Sequence, residues 1–206
     1  MAQSEFDRAV QDACESALVA VGFKRLRRST IIWEISEKFW GWVGLNRGNH
    51  GDMVRVNPFI GIHAVDLMKL CDQLDESKYS KGAYATYAIH LGEILPDELV
   101  FEFHKGRDLS HDAERLAKCV ADAGLTYMRS IADYDVLIPL FKEFIPTLGG
   151  YPERYVAALQ LSGKHAEARE FVLNSLNKDG ELARISNGSI LKFADNFLKL
   201  TELELH

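Results

Sequence analysis

The sequence predicts an α+β fold in which an antiparallel sheet carries helices on one face and a C-terminal helical region follows. Three patterns predict it. Apolar residues recur at helical spacing near the start of the chain, a two-residue alternation runs through about residues 30–62, and helical spacing returns from Ser110 onward. Strands and helices that are segregated along the chain are typical of α+β proteins, whose antiparallel sheets leave one face for helices.

The first predicted helix runs from Ser4 to about Val21, because apolar side chains recur there every three or four residues. Ser4 and Asp7 have the spacing of a capping pair, and Gly22 is a natural stop. The short basic run that follows, Lys24 to Arg28, is interpreted as a charged strand edge that discourages edge-to-edge pairing.

Three strands joined as a meander are predicted next, at about residues 30–36, 39–45 and 54–62. Residues 46–52 are rich in Gly, Asn and Asp and are expected to form a turn. Pro58 has no N–H to donate, so we expect it at a bulge or on an edge of the sheet.

Further elements follow from the same two periods. Ala64 to Leu74 predicts a helix and Leu99 to His104 a strand, whereas 84–95 fits either state. Ser110 is expected to cap a helix that Gly124 ends. Later helices are predicted at 127–131, 135–144, 153–161, 165–176 and 189–203. The pair 153–161 and 165–176 is interpreted as a generic helix pair rather than a tetratricopeptide array, because no second copy of the repeat exists.

The 206 residues suffice for one large domain or for one domain with an appendage. We divide them into an α+β sheet domain at 1–108 and a helical region at 109–206, with a break near 146–152 where Pro and Gly cluster. One continuous globular unit remains an open alternative.

Composition and charge exclude some classes of protein. The net charge is −6, which favours a basic partner over a nucleic acid. The three cysteines form no C-x-x-C pair, so we expect reduced thiols rather than a zinc or redox site. No signal-like or membrane-spanning apolar run is present, and we therefore expect a cytoplasmic protein that makes no contact with a membrane.

Motifs of the large enzyme classes are absent: the chain has no phosphate loop, no G-x-G-x-x-G, no H-E-x-x-H and no G-x-S-x-G. We assign no catalytic residue, no cofactor and no metal, and leave open whether the protein is an enzyme. His104, Asp108 and His111 are interpreted as a solvated loop with a capping role rather than as metal ligands.

Several side chains are nevertheless candidates for contact with a partner or ligand. Trp40 and Trp42 share one face of a strand and either belong to the core or line a groove. His63 is interpreted either as a buried core histidine or as a functional residue. Glu93 either belongs to a charged loop or takes part in acid–base chemistry. The candidate binding residues are Trp40, Trp42, Arg55, His63, Glu93, Glu102 and His104.

Three short segments carry a resemblance to a known family. They are Gly22-Phe23-Lys24 after the first helix, Val56 to Ile62, and His90 to Pro96 with the sequence HLGEILP. Over about residues 1–145 the chain resembles a bacterial family of uncharacterised domains of unknown function, in which similar "GFKK", "NLGI" and "IGELLP" elements occur in this order. The resemblance implies a small cytosolic protein, and some members are similar to immunity proteins that neutralise a toxin.

Two functions follow as hypotheses. The first is a non-enzymatic, immunity-like protein that binds a basic protein partner such as a toxin. The second is an enzyme or small-molecule-binding domain with a pocket between the sheet and the helical tail, in which Arg55, His63, Glu93 and His104 would act on the ligand. Nucleic-acid binding is kept only as a remote third hypothesis.

Overall fold

The structure is a computed structural model that describes residues 5–27, 30–98, 100–145, 151–176 and 189–203. Contacts between residues divide the chain into two compact units. Unit 1 comprises residues 1–63 and 82–132, and unit 2 comprises 64–81 and 133–206. The antiparallel sheet, its helices and the C-terminal helical region confirm the predicted α+β class.

Unit 1 contains a six-stranded antiparallel sheet. The order is β1-β2-β3-β4-β5, and β6 also pairs with β4. Two 3₁₀ turns, Leu91–Glu93 and Pro96–Glu98, connect β5 to β6. The strands are β1 Lys24–Arg27, β2 Thr30–Glu34, β3 Phe39–Asn49, β4 Met53–Ala64, β5 Tyr87–His90 and β6 Phe101–His104.

The long strand β4 pairs with two short strands, β5 and β6. Residues 53–56 pair with β6, and residues 59–62 pair with β5. Pro58 falls between these two ladders, where a missing N–H removes no bond to either partner. Pro58 was expected at a bulge or on an edge of the sheet, but it lies inside β4, which pairs on both sides, at the point where the strand changes partner.

The helices of unit 1 cover one face of the sheet. They are α1 Glu5–Ala20, α3 Ser110–Cys119, a π-helical turn Val120–Gly124 and α4 Leu125–Ser130. A side chain at Gly41 would meet Met128 of α4, and one at Gly124 would meet Ile60 of β4. The fully buried core between these layers includes Leu18, Val43, Val54, Val56, Ile60, Phe101, Phe103 and Leu116.

Ion pairs fasten α1 to the sheet. Arg47 Nε of β3 lies 2.9 Å from Asp7 Oδ1, with both side chains mostly buried. Arg25 of β1 pairs with Glu15, whose side chain is 1% exposed, and Glu15 also accepts a hydrogen bond from Gln11. Because a buried carboxylate needs partners of this kind, these contacts fix the helix against the strands.

Three further predictions in this unit are wrong. Ser110 is the first residue of α3 rather than its cap, which is Leu109. Residues 46–49 belong to β3 rather than to a turn, since β3 pairs onward until the tight connection after Asn49. Gly124 does not end a helix. Its φ is −60°, and the helix continues through the π-helical turn into α4, with Gly124 beside Ile60 of β4.

Unit 2 is helical. Within it α6 contacts α2, α5 and α7, and the last helix contacts α2 and α7. Tyr155 and Phe171 pack edge to face at 4.9 Å, and Gly163, with φ +80°, makes the turn between α6 and α7 that the sequence predicts. The helices are α2 Val65–Leu74, α5 Tyr134–Phe144, α6 Pro152–Leu161, α7 His165–Ser175 and α8 Ser189–Leu203.

Some expectations fall on residues outside the described ranges. These are the Ser4 cap, Arg28 of the basic run, the Leu99 start of a strand and residues 146–150 of the proline and glycine break. Among the helices that the structure describes, none has the length and apolar character needed to cross a bilayer.

Candidate functional site

The face of the sheet opposite the helices holds most of the candidate residues. Successive side chains of a strand point to opposite faces, so Trp40 and Trp42 lie away from the helix-facing Gly41. By the same alternation Arg55, Phe59 and His63 lie opposite the helix-facing Ile60. We call the part of this face that remains accessible the open sheet face. It consists of Trp42, Arg55, Asn57, Phe59, His90, Glu102 and His104, all half-buried or exposed.

Trp40 and His63 lie at the covered end of this face. Their rings are 5.8 Å apart, and both side chains are buried. His63 Nδ1 lies 2.8 Å from the carbonyl oxygen of Tyr84, and Nε2 accepts a hydrogen bond from the N–H of Gly82 at 3.3 Å. A carbonyl only accepts and an amide N–H only donates, so the imidazole is neutral and carries its proton on Nδ1.

Trp42 occupies the accessible part of the face. Its six-membered ring lies over Gly44, where a β-carbon would collide with it. The Nε1 of Trp42 and the Oδ1 of Asn57 are buried atoms without a hydrogen-bond partner in the part of the chain that the structure describes.

Arg55, Glu102 and His104 come together at one end of the open sheet face. Arg55 and Glu102 are direct cross-strand partners, and Arg55 Nε donates to Glu102 Oε1 at 3.0 Å. His104 Nε2 lies 4.0 Å from Glu102 Oε2. All three side chains are between 42% and 48% exposed, so the cluster is a surface feature and not a buried acid–base centre.

Glu93 lies at the sheet edge beside His90. Its Oε1 accepts a hydrogen bond from the main-chain N–H of His90 at 2.9 Å. His90 Nδ1 in turn accepts from the N–H of Gly92 at 2.9 Å, which completes a capping box on the first 3₁₀ turn. The carboxylate therefore has a structural role, whatever else it does.

Sequence reasoning missed Phe59 and His90 as members of this face. Phe59 pairs with His90 across β4 and β5, and their rings pack edge to face at 5.4 Å. The signal was weak because His90 lies in a segment that fits strand and helix equally well. The order Asn57-Pro58-Phe59 places Phe59 on the same face as Arg55, and this alternation was the available clue.

The remaining polar groups make local contacts or are buried. The described residues contain no group of three or more side chains that could hold a metal ion. Asp108 Oδ1 instead accepts hydrogen bonds from the N–H and Oγ of Ser110, the capping role expected of that loop. Burial raises the pKa of the Cys14 thiol to about 12 and also raises the pKa of Cys71, so both thiols stay protonated at neutral pH.

Two surface grooves in unit 1 lie elsewhere. One, of about 520 Å³, is bounded by the start of α1 and two turns, and the other, of about 480 Å³, runs between α1 and α3. The second is lined mainly by small side chains, including Ala13, Ala17, Ala113 and Ala117. Neither groove is lined by one of the seven candidate binding residues.

Comparisons of the chain with protein-family models, with curated proteins and with solved structures found no match. The resemblance to bacterial domains of the immunity type therefore stays a prediction.

Proposed function

We propose that this chain is a non-enzymatic protein-binding protein of the immunity type, and that the open sheet face contacts its partner. One observation carries the proposal. The accessible face of the sheet has an aromatic centre, Trp42 and Phe59, bordered by the Arg55–Glu102 pair. Tryptophan and arginine are the residues most enriched at the energetic centres of protein interfaces, where aromatic side chains anchor in the partner.

Charge supports a basic partner such as a toxin. The chain has 30 acidic and 24 basic residues. Opposite net charges accelerate association and suppress binding of wrong partners. An inhibitor that must capture a toxin quickly benefits from this effect.

The enzymatic alternative has less support, because two of its four groups are engaged elsewhere. Both ring nitrogens of His63 face main-chain partners, and Glu93 caps a turn. Arg55 and His104 remain accessible, but both lie beside the same carboxylate of Glu102 on the surface of the sheet.

The test is co-expression with the products of neighbouring genes in the bacterial host, followed by size-exclusion chromatography. We expect a 1:1 complex with one basic protein, and protection of the cell if that protein is toxic. Phe59→Ala and Arg55→Ala should each weaken the complex at least tenfold. Val19→Ala, at a 45%-exposed position of α1 on the helical side, is the control and should bind normally.

Circular dichroism and thermal melting of each variant separate lost binding from lost folding. The absence of a stable protein partner, both among neighbouring gene products and in a pull-down from the native host, would refute the proposal. Unchanged affinity of the two sheet-face variants would refute the assigned surface.

A further inference from the structure

We infer that the β5 edge of the open sheet face, with Glu93 on the turn that follows, recognises an arginine side chain of its partner, which binds the carboxylate of Glu93 and the aromatic rings of Phe59 and His90. The inference rests on the proposed protein-binding function and specifies the chemistry of the partner.

The aromatic part of this site is built by strand pairing. Phe59 and His90 are directly opposite on β4 and β5, so their side chains share one face. Their ring planes are at 88° with centroids 5.4 Å apart, and both residues are half-buried. Two perpendicular rings present both a face and an edge, which is a surface that a flat cation can pack against.

The carboxylate is held in place beside these rings. Glu93 Oε1 is fixed by the main-chain N–H of His90, the residue whose ring contacts Phe59. The side chain of Glu93 is nevertheless exposed. Because one oxygen is already anchored, a cation that binds the carboxylate loses less side-chain entropy than it would with a free glutamate.

Negative charge is in excess along this edge. From residue 82 to residue 104 the chain contains four carboxylates and no lysine or arginine. Glu98 and Glu102 are neutralised by Arg115 and Arg55. The excess negative charge therefore belongs to the remaining two carboxylates, Glu93 and Asp97.

Glu93 and Asp97 carry this excess negative charge. Both are exposed, and neither forms an ion pair with any residue in the described ranges. A partner's cation at this edge would offset a charge that the protein itself leaves uncompensated.

Arginine fits this arrangement better than lysine does. The guanidinium is planar, stacks on aromatic faces and donates two parallel N–H bonds to a carboxylate. An ammonium is a strongly hydrated point charge that gains less from the rings. Arginine is also enriched at the energetic centres of interfaces.

The test is an NMR titration of the whole chain with Nα-acetyl-arginine methylamide at low salt. We expect millimolar binding, with amide shifts concentrated at Phe59, His90 and Glu93. The citrulline counterpart, which has the same shape without the charge, should bind at least fivefold more weakly. The lysine counterpart should fall between the two.

Glu93→Gln is the decisive variant, because the glutamine Oε1 can still accept the hydrogen bond from His90 and keep the turn capped. We expect it to weaken arginine binding at least fivefold with an unchanged melting temperature. Glu114→Gln, which removes an exposed charge from α3, is the matched control and should bind as the native chain does.

Equal shifts with arginine and citrulline, or unchanged binding by Glu93→Gln, would overturn the inference. Either result would leave a complex seen by co-expression standing. Failure to find any protein partner would instead remove the proposed function, so the two failures are distinguishable.

Discussion

His63 Nε2 accepts a hydrogen bond from the main-chain N–H of Gly82, nineteen positions later in the chain, at 3.3 Å. The two residues mark where the chain leaves unit 1 and where it returns. Nδ1 donates to the carbonyl of Tyr84 at 2.8 Å. One buried imidazole therefore holds both Gly82 and Tyr84, in the segment where the chain returns to unit 1.

We expect His63→Ala to destabilise the protein by about 2–4 kcal/mol, since it opens a cavity and leaves a buried N–H without a partner. Urea unfolding followed by tryptophan fluorescence measures the loss, and Trp40 beside the ring reports it directly. His50→Ala, at an exposed position of the turn between β3 and β4, should change stability by less than about 0.5 kcal/mol. A loss no larger than that of the control would show that the imidazole contacts are unimportant.

Substitution by alanine should have opposite effects on stability at Gly61 and at Gly124. A β-carbon at Gly61 would collide with the carbonyl of Tyr87 on β5, so Gly61→Ala must separate β4 from β5 and should cost at least about 2–3 kcal/mol. Gly124 is helical, and a β-carbon there would sit 3.4 Å from Ile60, an ordinary contact. Gly124→Ala should therefore stabilise by about 0.5–1 kcal/mol. Thermal melting of both variants decides, and a destabilised Gly124→Ala would contradict this account.

Glu153 should make stability depend on pH. Burial raises the pKa of its carboxyl above the ordinary value of 4.5, and Arg154 opposes this only in part. The folded protein then holds the proton more tightly than the unfolded chain does. The stability that this group contributes is fully present below pH 4.5. It is lost as the pH rises through the raised pKa that Glu153 has in the folded protein.

Glu153→Gln removes that dependence, because its side chain stays neutral. The variant should gain stability relative to the native protein between about pH 4.5 and 7 and match it in more acidic solution. Denaturant titrations at several pH values measure the difference. Glu170→Gln, at an exposed position of α7, is the control, and a constant difference across the range would contradict the expectation.

The Arg55–Glu102 pair should matter for binding and little for stability. The side chains are 48% and 43% exposed, and water screens a pair of that kind. The exchange Arg55→Glu with Glu102→Arg should change the free energy of unfolding by less than about 0.5 kcal/mol. It should weaken the partner complex at least tenfold, which calorimetry on purified components would show. A large loss of stability would mean that the pair is structural.

Much of the fold was predictable because its signals are local. The amphipathic α1, the alternating strands and the glycine stop at Gly22, where φ is +105°, need only residues near in sequence. The continuation past Gly124 was not predictable, since it depends on space beside Ile60, a residue 64 positions earlier. Propensity alone gives a stop at that glycine, and tertiary packing overrides it.

The candidate site divides in the same way. Arg55, Glu102 and Trp42 lie on one face because strand alternation is local. The interpretation of His63 as a buried histidine is confirmed, but the segment that covers it, which includes Gly82 and Tyr84, could not be identified from the sequence. Glu93 was a candidate from the sequence, but its hydrogen bond with the main chain of His90 is evident only in the folded structure.

Because two short strands share the long strand β4 and no ladder bond spans Pro58, each of them can be released without breaking the other's register. Amide protons of β5 and β6 should then exchange with solvent as two separate groups. A loop lengthened at the exposed Pro96-Asp97 corner would be absorbed between them, which makes this corner the natural place to insert a tag or a reporter.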